Sequence, residues 1–263
     1  MRHGIHIPNF GPFGSARVVA DLAASAEQAG WDGVFLWDHV VRREGDFDLV
    51  DPWVALAAVA VATTRVRLGP LVTPLPRRRP WNVARAAVSL DQLSGGRLVL
   101  GVGTGTPRGP EFPAFGEETD IRRRGDMLDE GLAVLRAAWS GEPVTFSGTH
   151  YRIDQVRFLP RPLRPAGIPI WAATEVPQGR PVRRAAALDG IVPTAIGPSG
   201  MPALLDAVGR YRTSGSPFDV VAISRRDDAA AWEAAGATWW LRELPWERPL
   251  AEATALVARG PAS

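Results

Sequence analysis

The sequence predicts an α/β fold, a single (β/α)8 TIM barrel that occupies residues 1–263. Short apolar or β-branched runs alternate with longer segments of helical period, which is typical of parallel βα units. Eight such pairs fit the chain length, because barrels of this type need about 250 residues. Hydrophobic residues make up 46% of the chain and charged residues 22%, so a large buried core can form.

Each predicted strand is a short run bounded by Gly, Pro or Asp. In chain order the predicted strands are residues 2–7, 33–37, 65–71, 98–103, 169–173, 190–194, 219–223 and 238–242. Ser15 is expected to cap the first helix, which ends before Gly30, and Pro52 opens the second. Residues 81–93 form a further helix, and the apolar spacing after Ile121 predicts one more.

Two segments are too long for ordinary connections. Residues 104–120 follow the fourth strand and contain three prolines, so we expect a lid-like loop at the catalytic end of the barrel. Residues 141–164 contain a Ser147-Gly148 turn between short β-prone runs. We expect a surface hairpin there, outside the barrel.

Composition and charge exclude several classes of protein. The 30 basic residues are all arginine and stand against 28 acidic residues, and this balance argues against nucleic-acid and membrane partners. Without lysine there is no Schiff-base or P-loop chemistry, and without cysteine there is no thiolate nucleophile, disulfide or iron–sulfur site. We expect a cytoplasmic protein, because cysteine is absent and no apolar run reaches about 18 residues.

Functional side chains of a βα barrel project from the C-terminal ends of its strands. The second strand ends in Trp37, followed by Asp38 and His39. A histidine beside a carboxylate can act as acid, base or hydrogen-bond donor, so His39 and Asp38 are the candidate catalytic residues. Asp38 would set the tautomer of His39, and Trp37 would form a wall of the substrate pocket. In the alternative interpretation Asp38 caps a turn and His39 is structural.

The ends of the third and fourth strands are rich in glycine and proline. Thr73 can donate a hydrogen bond beside an irregular backbone, where a flat ring could lie. The arginines at 77–79 either meet an anionic ligand or form a solvated cluster. The glycines of 101–105 lack the helix that a dinucleotide fingerprint requires, so they indicate close approach of the backbone to something planar or crowded.

Late barrel loops commonly hold a phosphate, and Gly179, Arg180 and Thr194 are candidate ligands for one. No metal site is expected. His3 and His6 are three residues apart in a strand and therefore point to opposite faces. With no ligand set of the usual size, a zinc-dependent barrel hydrolase is disfavoured.

Together these residues resemble the luciferase-like monooxygenase family, which includes FMN-dependent monooxygenases and oxidoreductases that use the deazaflavin F420. The similarity covers nearly the whole chain and is most specific in residues 69–105. There it rests on Val72-Thr73-Pro74, Arg79-Pro80, Ala84-Arg85, Ser89-Leu90-Asp91 and the runs 93–97 and 100–105. Supporting stretches are 26–32, 37–39, Arg124 with Asp129-Glu130, 168–171, Asp189-Gly190 and 236–240.

The resemblance implies that the cofactor binds at the C-terminal mouth of the barrel. It places Asp38 and His39 at the active-site pair of F420-dependent members. It also implies a non-proline cis peptide within 70–72 and a homodimer formed through the helices at 53–63 and 81–93. The implied cofactor contacts are Leu71, Val72, Thr73, Gly103, Thr104 and Gly105 at the ring, and Gly179, Arg180 and Thr194 near the phosphate.

FMN and F420 both remain open as the cofactor, and FMN is slightly favoured by the generic family pattern. The leading prediction is a monooxygenase that uses reduced FMN and oxygen on a small organic substrate. A separate flavin or F420 reductase is a possible partner that would reduce the cofactor. The alternatives are an F420-dependent hydride-transfer oxidoreductase and a non-catalytic flavin-binding barrel. Certain F420-dependent sugar dehydrogenases carry a catalytic glutamate where this chain has Thr106, which we place in the substrate pocket.

Overall fold

The computed structural model describes residues 1–107, 109–226 and 228–261. Its strands are β1 (Arg2–Ile7), β2 (Gly33–Leu36), β3 (Arg67–Pro70), β4 (Thr73–Pro74), β5 (Leu100–Gly103), β6 (Pro143–Ser147), β7 (Arg152–Arg157), β8 (Ile170–Thr174), β9 (Gly190–Pro193), β10 (Asp219–Ser224) and β11 (Trp239–Glu243). Its α-helices are α1 (Ala16–Gln28), α2 (Pro52–Ala62), α3 (Pro80–Leu93), α4 (Ile121–Trp139), α5 (Arg180–Ala186), α6 (Met201–Tyr211), α7 (Ala229–Ala234) and α8 (Leu250–Ala258).

The main sheet is a nearly closed barrel of parallel strands in the order β3-β2-β1-β11-β10-β9-β8-β5-β4. β3 and β4 are two halves of one barrel strand, which the predicted cis peptide interrupts at Leu71–Val72. A parallel bridge between Leu68 and Leu98 joins β3 to the segment before β5, and β4 pairs with β5 further along. The (β/α)8 fold is therefore confirmed. The predicted strands lie within two residues of the observed bounds, except that the third barrel strand continues in β4 to Pro74, three residues beyond its predicted end.

Aromatic side chains fill the part of the barrel interior near the N-terminal ends of the strands. Phe35, Trp171 and Trp239 are buried, with ring centroids 5.1 to 5.8 Å apart. The indole N–H groups of both tryptophans donate to the carboxylate of Asp219 at 3.2 Å. Because this part is a packed core, space for a ligand lies at the opposite end, where the strands finish.

Local sequence explains where the helices begin and end. Asp51 caps α2 by accepting hydrogen bonds from two backbone amides, and Pro52 occupies the first turn. Ser15 stands at the N-cap of α1 as predicted, but its side chain makes no capping hydrogen bond. Gly30 follows α1 with a φ of 91°, a left-handed conformation that favours glycine.

Two segments extend from the barrel where the sequence predicts them. β6 pairs antiparallel with β7 and forms the hairpin expected within 141–164. Between β5 and α4, the described residues of the loop at 104–120 include a 3-10 turn at Pro113–Phe115, and Glu111 of this loop contacts His39, which follows β2. Each helix in the described part of the chain is too short or too polar to span a membrane.

Candidate functional site

A cavity opens at the C-terminal end of the barrel, where the strand tips converge. Its volume is about 430 Å³, which lies within the range of small-molecule and cofactor sites. Apolar side chains on its wall include Leu71, Val72, Val192 and Ile223. Polar side chains on its wall include His6, His39, Glu111, Arg225 and Glu243. An apolar surface edged by titratable groups is suited to a planar cofactor and a reacting substrate.

Many of the predicted site residues line this cavity. They are Trp37, Asp38, His39, Leu71, Val72, Gly105, Thr106 and Thr194. Thr73, Gly103 and Thr104 lie within two residues of lining residues in the sequence but are not part of the wall. The hydroxyl of Thr73 is fully buried and donates to Asp38 at 2.8 Å, so it is directed away from the expected ring contact.

The predicted phosphate ligands are separated in the structure. Thr194 lines the cavity, whereas Gly179 and Arg180 do not. The guanidinium of Arg180 lies 2.6 Å from carboxylate oxygens of both Asp126 and Asp129 on α4. Because its charge is already balanced, a phosphate contact by Arg180 stays a prediction and requires these ion pairs to open.

Both ring nitrogens of His39 have partners. Nδ1 lies 3.0 Å from Oε2 of Glu111, and Nε2 lies 3.0 Å from Nη1 of Arg42. Because an arginine only donates, Nε2 of His39 accepts the hydrogen bond from Arg42. Nδ1 therefore carries the proton and donates a hydrogen bond to Glu111. The side chain of Asn9 also holds the backbone of His39 through hydrogen bonds of 2.8 and 3.2 Å. These contacts hold His39 in one orientation and select a single tautomer of its neutral form.

Glu111 comes from the loop at 104–120 and is 2% exposed. Its Oε1 accepts a hydrogen bond from the Val40 amide at 2.7 Å and lies 2.5 Å from Nη1 of Arg77. Burial alone would raise the pKa of the Glu111 carboxyl, but the hydrogen bond and charge interaction with His39, the charge of Arg77 and the hydrogen bond from the Val40 amide outweigh burial and lower the pKa to about 2. Glu111 is therefore ionised at neutral pH, and it ties the loop to the end of β2.

Asp38 does not set the tautomer of His39, so this part of the sequence prediction is wrong. Its buried carboxylate accepts hydrogen bonds from Arg78 at 2.7 and 3.1 Å, from Arg77 at 3.1 Å and from Thr73. Arg77 and Arg78 thus neutralise buried carboxylates of the protein itself, whereas contact of the exposed Arg79 with an anionic ligand stays a prediction. Asp38 fixes the end of β2 against the segment that follows β4.

His6 is a buried residue of the cavity wall that the sequence analysis did not assign to the site. Its Nε2 donates to the carbonyl oxygen of Leu71 at 2.8 Å, and its Nδ1 accepts from the indole N–H of Trp37 at 3.1 Å. Glu243 lies 3.5 Å from Nδ1. The signal that could have found His6 is the alternation of side chains along β1, which places His6 on the inner face. In the described part of the chain, no group of three His, Asp or Glu residues could hold a metal ion.

The glycines at the end of β5 are crowded, as predicted, and the crowding comes from the protein's own chain. A Cβ atom on Gly101 would lie 2.5 Å from the carbonyl oxygen of Pro70, and one on Gly105 would lie 2.5 Å from the ring of Phe112. Arg124 of α4 stacks 4.1 Å over the same ring, and its Nη1 lies 3.2 to 3.5 Å from the carbonyl oxygens of residues 104–106. The end of β5 is thus packed from both sides.

Comparison with known proteins identifies the family. A family model described as luciferase-like monooxygenase matches residues 2–260. The chain belongs to the luciferase-like monooxygenase family. One curated relative is the F420-dependent glucose-6-phosphate dehydrogenase of Nakamurella multipartita, 35% identical over 204 residues that cover 72% of this chain and 57% of the relative. Another is the F420-dependent hydroxymycolic acid dehydrogenase of Mycobacterium tuberculosis, 37% identical over 168 residues that cover 63% of this chain and 46% of the relative. This luciferase-like chain therefore spans about half the length of these curated relatives.

Solved structures share the barrel of this luciferase-like protein. An F420-dependent secondary alcohol dehydrogenase in complex with an F420-acetone adduct aligns with a TM-score of 0.79 at 18% identity, covering 98% of this chain and 99% of that chain. A type II Baeyer–Villiger monooxygenase constituent from Pseudomonas putida, in complex with FMN, aligns with a TM-score of 0.67 at 20% identity, covering 86% and 68% of the two chains. At these identities the likeness establishes the fold.

Proposed function

We propose that this luciferase-like protein is an F420-dependent oxidoreductase that transfers a hydride between F420 and a small alcohol or carbonyl compound. The observation that carries the proposal is the pairing of Glu111 with His39 at the edge of the cavity. Oxidation of an alcohol needs a group that takes up the hydroxyl proton, and a neutral histidine held by a carboxylate is suited to that task. The F420-dependent dehydrogenases among the curated relatives support the choice of cofactor.

The cavity residues suit a flat ring with a polar side chain. Leu71, Val72, Val192 and Ile223 would hold the ring by apolar packing, and the exposed Thr194 would offer a hydroxyl to the polar chain. The Leu71 carbonyl is held in place by the buried His6, so this part of the wall is formed before any ligand arrives. Such a preformed surface reduces the ordering that binding requires.

When bound, F420 supplies a ring carbon that accepts or returns a hydride. Nε2 of His39 takes the proton of the alcohol during oxidation and returns it in the reverse direction. Glu111 keeps Nδ1 protonated and stabilises the imidazolium that results from the transfer. Arg42 must leave Nε2 before the proton is taken, because its Nη1 donates to that nitrogen at 3.0 Å. Trp37 limits the access of water to the same side of the cavity.

An FMN-dependent monooxygenase, which the sequence alone favoured, is less well supported. FMN is bound in one structural neighbour of low sequence identity, whereas the curated relatives compared above are F420-dependent dehydrogenases. A sugar phosphate is not the proposed substrate, because Thr106 stands where certain F420-dependent sugar dehydrogenases carry a catalytic glutamate. Threonine cannot replace the acid–base function of that carboxylate at neutral pH.

An anaerobic assay tests the proposal. The protein is mixed with oxidised F420 and a panel of small secondary alcohols without oxygen, and the loss of F420 absorbance is followed. We expect alcohol-dependent reduction of F420. The parallel reaction with reduced FMN, oxygen and the corresponding ketones is expected to give no oxygenated product.

The role of His39 is tested in the same assay. His39→Ala is expected to lower turnover by about a hundredfold or more while F420 binding is kept, because only the proton transfer is lost. His150→Ala, in the surface hairpin, is the matched control and is expected to keep full turnover. Oxygen-dependent turnover with FMN alone, or full turnover by the His39 variant, contradicts the proposal.

A further inference from the structure

A second cavity lies beside the first, on the other side of His39. Its volume is about 420 Å³. Residues 41–44 and 109–110 form much of its wall. The residues that line both cavities are Trp37, His39, Thr106 and Glu111. Because the two spaces meet at His39, a ligand whose reacting atom lies near this imidazole can extend from the first cavity into the second.

The second cavity carries excess positive charge. The buried carboxylates of Asp38 and Glu111 are balanced by Arg77 and Arg78. Among the residues that the structure describes, the remaining charged groups of the second cavity are two arginines and one carboxylate, namely Arg42, Arg43 and Glu44. Arg43 is exposed and has no ion-pair or hydrogen-bond partner among the described residues. A site of this charge favours an anionic group.

Arg42 is placed to receive such a group. Its guanidinium lies 4.7 Å from the ring centroid of Phe10 and 5.6 Å from that of Trp37, so it is held at the edge of the second cavity. Nη1 donates to His39, Nη2 lies 2.8 Å from Oε1 of Glu44, and the buried Nε has no hydrogen-bond partner among the described residues. The arginine therefore has an unsatisfied donor and only one carboxylate partner.

Glu44 is a replaceable partner of Arg42. The side chain of Glu44 is 46% exposed, whereas that of Arg42 is 15% exposed. An exposed carboxylate can turn into solvent at little cost, since ion pairs at the surface contribute about 1 kcal/mol or less. Glu44 thus occupies the position on Arg42 that a carboxylate of a ligand would take.

We propose that the second cavity binds the anionic end of the substrate, a carboxylate or a phosphate group, through Arg42 and Arg43. The carbon that is oxidised or reduced would then lie in the first cavity beside His39. Arginine suits this role because its planar donors match the oxygens of carboxylate and phosphate. The inference rests on the proposed function, since it identifies the substrate class of that oxidoreductase as small hydroxy or oxo acids and their phosphate counterparts.

The test compares an anion with a neutral molecule of the same shape. Binding of para-fluorobenzoate and of para-fluorobenzyl alcohol to the protein is measured by fluorine NMR, with and without F420, and phenyl phosphate competes in a separate arm. We expect the benzoate to bind at least about tenfold more tightly than the alcohol. Displacement by phenyl phosphate shows that the site accepts both anions, and its failure restricts the site to carboxylates.

Three variants assign the binding to this cavity. Arg43→Gln is expected to weaken benzoate binding about three- to fivefold, because it removes one exposed charge. Glu44→Gln is expected to tighten binding about twofold or more, because a competing carboxylate is lost. Arg210→Gln is the matched control, since Arg210 is an exposed arginine near the C-terminal end of α6, at the opposite face of the barrel.

Equal binding of the benzoate and the alcohol overturns the inference, as does an effect of Arg43→Gln no larger than that of Arg210→Gln. The F420 titration of the same samples keeps the two proposals apart. If F420 binds and the anion does not, the inference fails and the proposed function stands. If the anion binds through Arg43 and F420 does not bind, the proposed function fails and the anion site stands.

Discussion

His39 depends for its orientation on residues that are distant in the sequence. The rule that parallel strands present their C-terminal ends at one edge placed Trp37 and His39 in the cavity correctly. The partner of His39 could not be predicted, because Glu111 lies in an irregular loop whose path is set by tertiary contacts. Asp38 lies beside the same cavity, but its carboxylate is already taken up by Arg77 and Arg78, and sequence spacing could not reveal these partners.

Glu111→Gln tests the pairing with His39. The amide keeps the shape of the side chain but removes its charge, so the protonated imidazole loses its stabilisation. We expect kcat to fall about tenfold to a hundredfold, with F420 affinity nearly unchanged. The acidic limb of the pH profile of kcat/KM is expected to move to lower pH, a readout that a purely structural role would not produce.

Glu117→Gln is the control for this prediction. Glu117 lies in the same loop, at the end away from His39, and its side chain has no hydrogen-bond or ion-pair partner among the described residues. An unchanged pH profile in the Glu111 variant, or an equal loss of kcat in the Glu117 variant, would show that the Glu111 carboxylate does not act through His39.

At the scale of elements, α4 holds the loop that covers the cavity. Arg124 is a buried residue of α4 whose hydrogen-bond acceptors are backbone carbonyls of the loop. Helical periodicity predicted α4 well, because its apolar side chains recur on one face. It could not show that an arginine on the same helix turns inward, since residue type alone suggests exposure for arginine.

Arg124→Met is expected to loosen the loop without unfolding the barrel. Methionine fills a similar volume and removes a charge that is costly to bury, so the melting temperature is expected to change little. Hydrogen exchange of the amides in residues 104–112 is expected to accelerate about tenfold or more, and F420 binding to weaken. Unchanged exchange in this segment would show that Arg124 does not hold the loop.

The start of β3 is held by a single carboxylate on α1. Glu27 accepts hydrogen bonds from the backbone amides of Thr64, Arg65 and Val66. Burial opposes ionisation, but these amides and the Thr64 hydroxyl together outweigh it and lower the pKa of Glu27 to about 2. Because the folded-state pKa is lower than the unfolded value of about 4.3, this stabilisation is present above that value and is lost as the pH falls toward 2.

Glu27→Gln is therefore expected to lower the free energy of unfolding by about 1–2 kcal/mol at pH 7, after allowance for solvent screening. The difference from the wild type is expected to shrink between about pH 4.3 and pH 2. Urea unfolding over this range measures it, with the exposed Asp21→Asn on the same helix as the control. A difference that does not depend on pH would rule out the proposed cause.

At the scale of the whole molecule, alternating βα units were sufficient to predict the barrel, because each strand and helix carries its own periodic pattern. The association of chains into an oligomer is harder to predict from the sequence. The outer face of α2 is apolar, with Val54 61% exposed and Val61 73% exposed. Exposed apolar side chains grouped on one helix indicate a contact surface, and we propose that α2 and α3 form a homodimer interface.

Val61→Glu tests the homodimer. A charge on this apolar face, near the C-terminal end of α2, cannot be buried without a large cost, so we expect the variant to elute as a single chain. Light scattering after size-exclusion chromatography is expected to give twice the mass of one chain for the wild type. Val156→Glu, at an exposed apolar position of β7, is the matched control and is expected to remain dimeric. A monomeric wild type contradicts this proposal.

The central claim is that the cavity at the strand tips holds the deazaflavin ring of F420. The most direct measurement is the dissociation constant of F420 for the wild type, for Thr194→Trp and for Ala195→Trp. Thr194 lines the cavity, whereas its exposed neighbour Ala195 does not, so only the first substitution fills the space. We predict binding that Thr194→Trp weakens at least about tenfold and Ala195→Trp leaves unchanged. No binding by the wild type, or equal binding by all three proteins, would contradict the claim.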